Sequence, residues 1–239
     1  MDDKYWFLKR CGLFERLAPD QIELIEKRSR TRKFVRGSVI YVPSDEADSV
    51  LLLTSGRVKI HHLTPDGKEA LLALIDPGEL FGELAILEGG RREEFAEAME
   101  TSQVVAIPSD VIQNLMETHS EVSLGVTTLL GLRRRRLERR LKSLLFRSNR
   151  ERLVHLLVEL LEKYGRPEPD GTLIGIRLSH QELANIIGST RETVTVLLGE
   201  LSFDRLLTVK KRKIYVPDPK RLAASIGLDP PDIPNPGEW

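Results

Sequence analysis

The chain has 239 residues, with 36 basic and 36 acidic side chains, 41% hydrophobic and 30% charged. At about 150 residues per domain this is one or two cored domains, and the proportions exclude a disordered chain, a collagen or a coiled-coil rod. The longest apolar run, Ala70 to Ile75, is far shorter than the ~20 residues of a bilayer helix. The charged start has no signal core, and the single Cys11 excludes an intrachain disulfide or a four-cysteine metal site within one chain, so a cytoplasmic protein with no membrane partner is expected.

The zero net charge hides a segregation. Residues 133–213 carry 19 basic and 10 acidic side chains, and the remainder holds the opposite excess. Such a bias points to a polyanion partner or, more blandly, to a solvated basic face.

In chain order, Leu17–Arg28, capped near Asp20, reads as a short amphipathic helix. Short strands follow: Lys33–Val42 broken at Gly37, Val50–Thr54 and Arg57–Leu63 around Ser55-Gly56, Glu69–Ile75 after the turn Thr64–Gly67, then Phe95–Met99 and Gln103–Ile107. Turn signals recur about every 8–12 residues, the pattern of a sandwich or β-roll. From a cap at Ser109-Asp110 the chain has no proline until beyond Tyr164. Leu130, Leu137 and Leu144 recur every seven residues with Leu141 at the partner position, flanked by Arg133 to Arg136, Arg139, Arg140 and Lys142. This narrow stripe predicts a dimer seam; the alternative is a helix packed on its own domain. A helix over Arg150–Tyr164, a turn or linker over Gly165–Gly171, a strand over Leu173–Leu178 and a proline-rich tail whose end is extended or disordered complete the reading. The expected fold is α+β: a β-roll over 1–108, a dimerisation helix over 109–146, a winged helix-turn-helix over 147–216 and a tail over 217–239.

The stretch from Leu178 to Leu198 carries the function. Ser179 with Glu182 forms a capping box, Leu183 and Ile187 face inward, Ala184 permits close helix crossing and Gly188 makes the turn. Val194, Leu197, Leu198 and Leu201 anchor the second helix, leaving Ser189, Thr190, Arg191, Glu192 and Thr195 outward near its N-terminus, the end that meets base edges. Leu206–Val209 and Ile214–Val216 around the basic turn Lys210–Lys213 form a wing presenting Lys211 and Arg212. A helical hairpin without nucleic acid is the alternative. No Ser/His/Asp set, carboxylate pair or P-loop stands out, and His61 and His62 face opposite sides of a strand, so no enzyme, cofactor or metal site is expected.

Gly78–Leu87 and Gly188–Val194 resemble, respectively, the phosphate-binding cassette and the helix-turn-helix of the CRP/FNR transcription regulators, the latter closest to the cyanobacterial nitrogen-regulator branch. The resemblance covers residues from about 10 to 220. It implies a homodimer on a palindromic double-stranded DNA site, with RNA polymerase as a further partner. It also implies base reading by Arg191 and Glu192, further contact by Thr195, and phosphate contacts by Ser179 and Gln181. The third reader of the family falls at Val196, which can offer only apolar contact.

The same resemblance implies an effector pocket at Phe81, Gly82, Glu83, Leu84 and Ala85, with Arg91, Arg92, Arg133 and Glu138 as further candidates. Glu93 and Glu94 stand where an arginine–serine pair would neutralise a cyclic phosphate, and Leu137 and Glu138 where a threonine–serine pair would meet adenine. Arg133 and Glu138 fall at 2-oxoglutarate contacts of the nitrogen branch, but its cassette arginine aligns with Glu94. A regulator not gated by cyclic AMP, and competent without ligand, is therefore expected. A regulator gated by a small anion (2-oxoglutarate or a cyclic nucleotide), a vestigial pocket serving as core, and a ligand-binding module acting on protein partners are the alternatives.

Overall fold

The structure, a computed structural model, describes residues 14, 17–84 and 90–233. The chain folds as two compact units, Met1–Arg135 and Arg136–Trp239.

In the first unit, α1 (Pro19–Arg28) precedes eight strands: β1 (Arg30–Phe34), β2 (Val39–Tyr41), β3 (Ser49–Ser55), β4 (Val58–Leu63), β5 (Glu69–Ile75), β6 (Leu80–Phe81), β7 (Phe95–Ala98) and β8 (Ser102–Pro108). They form two antiparallel sheets, β1–β8–β3–β6 and β2–β7–β4–β5. The segment read as one broken strand, Lys33–Val42, changes sheets at Gly37: β1 pairs with β8 and β2 with β7. β3 shows why a roll results. Val50 and Leu52 pack with Ile22, Ile25 and Ile112 on one side, while Leu51 and Leu53 pack with Tyr41, Ile60 and Phe81 on the other. A strand buried on both faces has to read as a continuous apolar run, as Val50–Leu53 does.

Two expectations about helix ends are corrected. Ala18 rather than Asp20 caps α1, with Pro19 in the first turn and Gln21 Oε1 accepting from Ala18 N at 2.9 Å. The helix expected from a Ser109-Asp110 cap is two helices, α2 (Ser109–Thr118), capped at Pro108, and α3 (Ser120–Phe146), parted at His119 with φ −132°. The Thr118 hydroxyl bonds back to Asn114 O at 2.7 Å, a contact that bends helices, and the His119 ring meets Gln21 of α1. That second contact is tertiary and leaves no trace in the local sequence.

The second unit holds the end of α3 and then α4 (Asn149–Tyr164), β9 (Gly165–Glu168), β10 (Gly171–Ile174), α5 (His180–Ile187), α6 (Arg191–Phe203), β11 (Thr208–Lys210), β12 (Lys213–Val216) and α7 (Pro219–Ala224). α4 starts from a Ser148–Glu151 capping box and buries Leu153, Val154, Leu157 and Leu161 beneath α5, α6 and α7. The segment 165–171, expected as a linker, is largely the edge strand β9 in the sheet β11–β12–β10–β9. An edge strand accommodates Pro167 because it needs no second ladder partner. The strand expected over Leu173–Leu178 is β10, which ends at Ile174. The tail, of which only the end is expected to be extended or disordered, opens on an unexpected helix, α7: Asp218 accepts from Arg221 N at 3.1 Å, Pro219 sits in the first turn, and Leu222 and Ala223 are buried.

Candidate nucleic-acid interface

α5 and α6 are fixed by their ends. The Ser179 hydroxyl accepts from Glu182 N at 3.2 Å and donates to the Glu182 carboxylate at 2.7 Å. Gly188 ends α5 in the left-handed region at φ +65°, and a Cβ there would lie 2.9 Å from Leu144 Cδ2. Thr190 caps α6 by accepting from Thr193 N at 3.2 Å. With Val194, Leu197, Leu198 and Leu201 buried, α6 exposes Arg191, Glu192, Thr195, Val196 and Gly199.

The structure sorts the residues expected at DNA. Ser179 and Thr190 have their hydroxyls engaged in caps. Thr195 Oγ1 donates to Arg191 O at 2.9 Å and lies 2.8 Å from His180 Nδ1, tying α6 to α5. Gln181 Nε2 donates to Asn185 Oδ1 at 2.8 Å. Ser189 is half-buried in the turn. The side chains of Arg191, Glu192, Lys211 and Arg212 are exposed.

Three positioning residues were not legible in the sequence. Arg140 on α3 donates to the carbonyls of Asn185 and Ile186, and Arg152 on α4 donates to Ile187 O at 2.7 Å. Both cations sit at the carbonyl end of α5, where the helix dipole favours them. His180 is the third, through Thr195. Arg140 read as one flank of a leucine stripe, and nothing local marks its target. Leu144, expected in that stripe, leans on the α5–α6 turn and is 42% exposed, against 55% for Leu137 and 57% for Leu141; Leu130 is half-buried.

The wing is a two-residue hairpin. Lys210 pairs with Lys213, and Lys211 and Arg212 between them have φ +49° and +61°. Such a turn favours Asn-Gly, and an ordinary side chain in this region costs about 1–2 kcal/mol. Lys210 is held aside: its Nζ lies 2.6 Å from Asp170 and 5.8 Å from the Tyr215 ring centre, and the Lys210 hydrogen bond holds the Asp170 carboxyl below the usual carboxylate range. The double change Lys211→Asn/Arg212→Gly is expected to stabilise the fold by about 1–2 kcal/mol. It should weaken binding to all DNA sequences alike, flattening the salt dependence by about 0.9 for each phosphate no longer neutralised. Urea unfolding and salt titrations of binding check the two halves, and unchanged stability would show the turn to be unstrained.

In the first unit, the described part of the cassette is engaged by the chain's own side chains. Gly82 has φ +68°, and a Cβ there would lie 2.5 Å from the Arg92 guanidinium. Arg92, 7% exposed, donates to Gly82 O at 2.7 Å and to Ser49 O at 2.6 Å, and stacks over Tyr41 at 4.6 Å. Tyr41 in turn stacks on the buried Phe81 ring and donates to Glu94, and burial raises its hydroxyl pKa. Glu83 forms an ion pair with Arg133 of α3, which also donates to Leu80 O. Of the candidate effector residues, the structure gathers Phe81, Gly82, Glu83, Arg92 and Arg133. It leaves Leu84 and Arg91 exposed and Glu138 exposed in the second unit, and Ala85 lies outside the described residues. Arg92, expected as an effector contact, is instead engaged by two backbone carbonyls, those of Gly82 and Ser49, so the polypeptide itself supplies its acceptors.

Two family models match: a cyclic nucleotide-binding domain over residues 31–119 and a Crp-like helix-turn-helix domain over residues 151–225. The global nitrogen regulator of Synechococcus elongatus is 36% identical over 193 residues, 80% of this chain and 87% of that protein. The CRP-like cAMP-activated global transcriptional regulator of Mycobacterium tuberculosis is 28% identical over 216 residues, 90% of this chain and 96% of that one. Among solved structures, the c-di-GMP-responsive global regulator CLP of Xanthomonas campestris matches with a TM-score of 0.73 at 25% identity, over 83% of this chain and 99% of its own. The chain belongs to the CRP/FNR family and is a DNA-binding transcription regulator of that type.

Proposed function

We propose that the protein reads a two-fold symmetric DNA site as a homodimer and needs no small molecule to do so. The observation that carries the DNA reading is the N-terminal end of α6, where the side chains of Arg191 and Glu192 are exposed beyond a capped turn. Arginine there pairs with a guanine edge and glutamate accepts from cytosine, while Val196, 60% exposed, offers a methyl surface to thymine. Lys211 and Arg212 meet phosphate from the wing. The two half-sites lie about 34 Å apart, one helical turn, so that both α6 helices enter the major groove on one face. Ser179, Gln181, Ser189, Thr190 and Thr195 hold the reading helix in place, their backbone amides and exposed edges facing phosphate.

Ligand independence is supported by the cassette. Glu83 with Arg133, and Arg92 with Gly82 and Ser49, occupy the groups an anionic effector would use. Selection from a random DNA pool with ligand-stripped protein, alongside calorimetry with cyclic AMP, cyclic GMP and 2-oxoglutarate, tests the reading. A palindrome and no heat are expected. Micromolar binding of a cyclic nucleotide, lost in Glu83→Ala, would overturn the ligand-independent part. Arg191→Ala is expected to cost about 1–3 kcal/mol on the selected site and relax one guanine position. Equal loss on all sequences, measured by competition binding, would remove Arg191 from base reading.

A further inference from the structure

The roll contains a cavity of about 560 Å³ lined from β1, β2, β3 and β8 and from the segments around Asp45 and Arg92. Its size is that of a small-molecule site. None of the described cassette residues Gly82, Glu83 or Leu84, nor Arg133, lines it. Arg30, Arg32 and Phe34 alternate along β1, so all three present the same face, and all three line the cavity. Arg28 also lines it but is paired with Asp110 at 2.8 Å, whereas Arg30 and Arg32 form no ion pair among the described residues. Arg92 forms part of the wall from within, and its buried Nε has no hydrogen-bond partner. Asp45, Glu46 and Asp48 stand in the same lining.

We propose that this cavity binds a phosphate monoester with a hydroxylated body, of sugar-phosphate to mononucleotide size. Two guanidinium forks two residues apart on one strand face lie about 7 Å apart at their bases and can converge on a single phosphate, each donating two parallel hydrogen bonds. The guanidinium fork matches phosphate geometry better than a lysine point charge does. Next along the strand, Phe34 with Leu51 and Val104 gives an apolar floor for a ring. The acidic residues of the lining accept from hydroxyl or amino groups and repel a second anionic group. The ligand's charge is therefore confined to one end, which disfavours dicarboxylates. Arg92 gives the cavity its link to the cassette, since the guanidinium whose Nε is unpartnered also holds Gly82 O.

This proposal does not rest on the DNA reading, and its test uses a separate readout. Calorimetry on the full chain with ribose 5-phosphate and 5′-AMP as probes, and inorganic phosphate as competitor, should show saturable submillimolar binding. Arg30→Ala/Arg32→Ala should weaken it by about tenfold or more, the loss of two charge-assisted forks. Both side chains are exposed, so the variant folds, and retained operator binding verifies this. Lys33→Ala, a charge removed from the other face of the same strand, should leave the affinity unchanged. The proposal is overturned by the absence of saturable heat with either probe. It is equally overturned by binding that survives the double change, or by an equal loss in Lys33→Ala, which would mark diffuse surface charge.

Discussion

Leu137→Asp is expected to convert the protein to a monomer and to lower operator affinity by about 100-fold or more, the loss of linkage between two half-sites. Leu137 and Leu141 are more than half exposed on α3, and Leu145 and Phe146 beyond them are 64% and 82% exposed. One helix showing this much apolar surface to water requires a cover, and a leucine repeat of three and four residues fits a second copy of itself. At a two-fold seam the change sets two carboxylates against each other in a desolvated place. Because Leu137 lies outside the cores of its own chain, the melting of the isolated monomer should change little. Sedimentation equilibrium read beside circular dichroism therefore separates dissociation from unfolding. A variant that sediments as an intact dimer would move the interface off this stripe. Leu144, partly engaged with the α5–α6 turn, should respond differently: Leu144→Ala should loosen the turn more than the dimer.

The parts of the molecule that the sequence made legible are those whose determinants are local. The helix-turn-helix is written in a capping box, a small residue and a left-handed glycine, all within the ten residues from Ser179 to Gly188, whereas the Thr190 cap of α6 emerged only in the structure. The strands of the roll are punctuated by turn residues, so six segments and their order could be read, although the sheet change at Gly37 and the two-residue strand β6 could not. What failed was long-range or hidden behind a stronger signal. Pro167 argued against a strand, but β9 lies at a sheet edge where proline is tolerated. The prolines of the tail outweighed the Asp218-Pro219 start signal of α7. In the site, the exposure of Arg191 and Glu192 was evident, but the engagement of Thr195 by His180 and the clamp of Arg140 and Arg152 on α5 were not. Most distant of all are the contacts that join Glu83 to Arg133 and Arg92 to Ser49. The resemblance marked which effector contacts of the family are replaced here, but not that Gly82, Glu83 and Arg92 are engaged within the chain itself.

Arg133→Met is expected to destabilise the first unit by about 3–5 kcal/mol, because breaking a buried ion pair from one side strands the other charge. The Glu83 side chain is 5% exposed, and its Oε2 already lacks a hydrogen-bond partner, so Arg133 provides its main compensation. Arg133 is 26% exposed and also donates to Leu80 O, so the one guanidinium joins α3 to both the strand and the turn of the cassette. Methionine keeps the apolar stem and removes only the charge and its donors. Glu83→Gln/Arg133→Met should recover most of the loss, since neither half then leaves an unpaired charge. The non-additivity of the double-mutant cycle, read by urea unfolding, measures the pair itself. The functional readout follows from the same geometry. If this pair stands in for an effector, ligand-stripped Arg133→Met protein, assayed where it is folded, should bind the operator at least about tenfold more weakly, a difference of about 1.4 kcal/mol. A loss of stability below about 1 kcal/mol would mean that water already solvates Glu83. The cassette would then be open to a ligand, and the ligand-independent reading would fall with the pair.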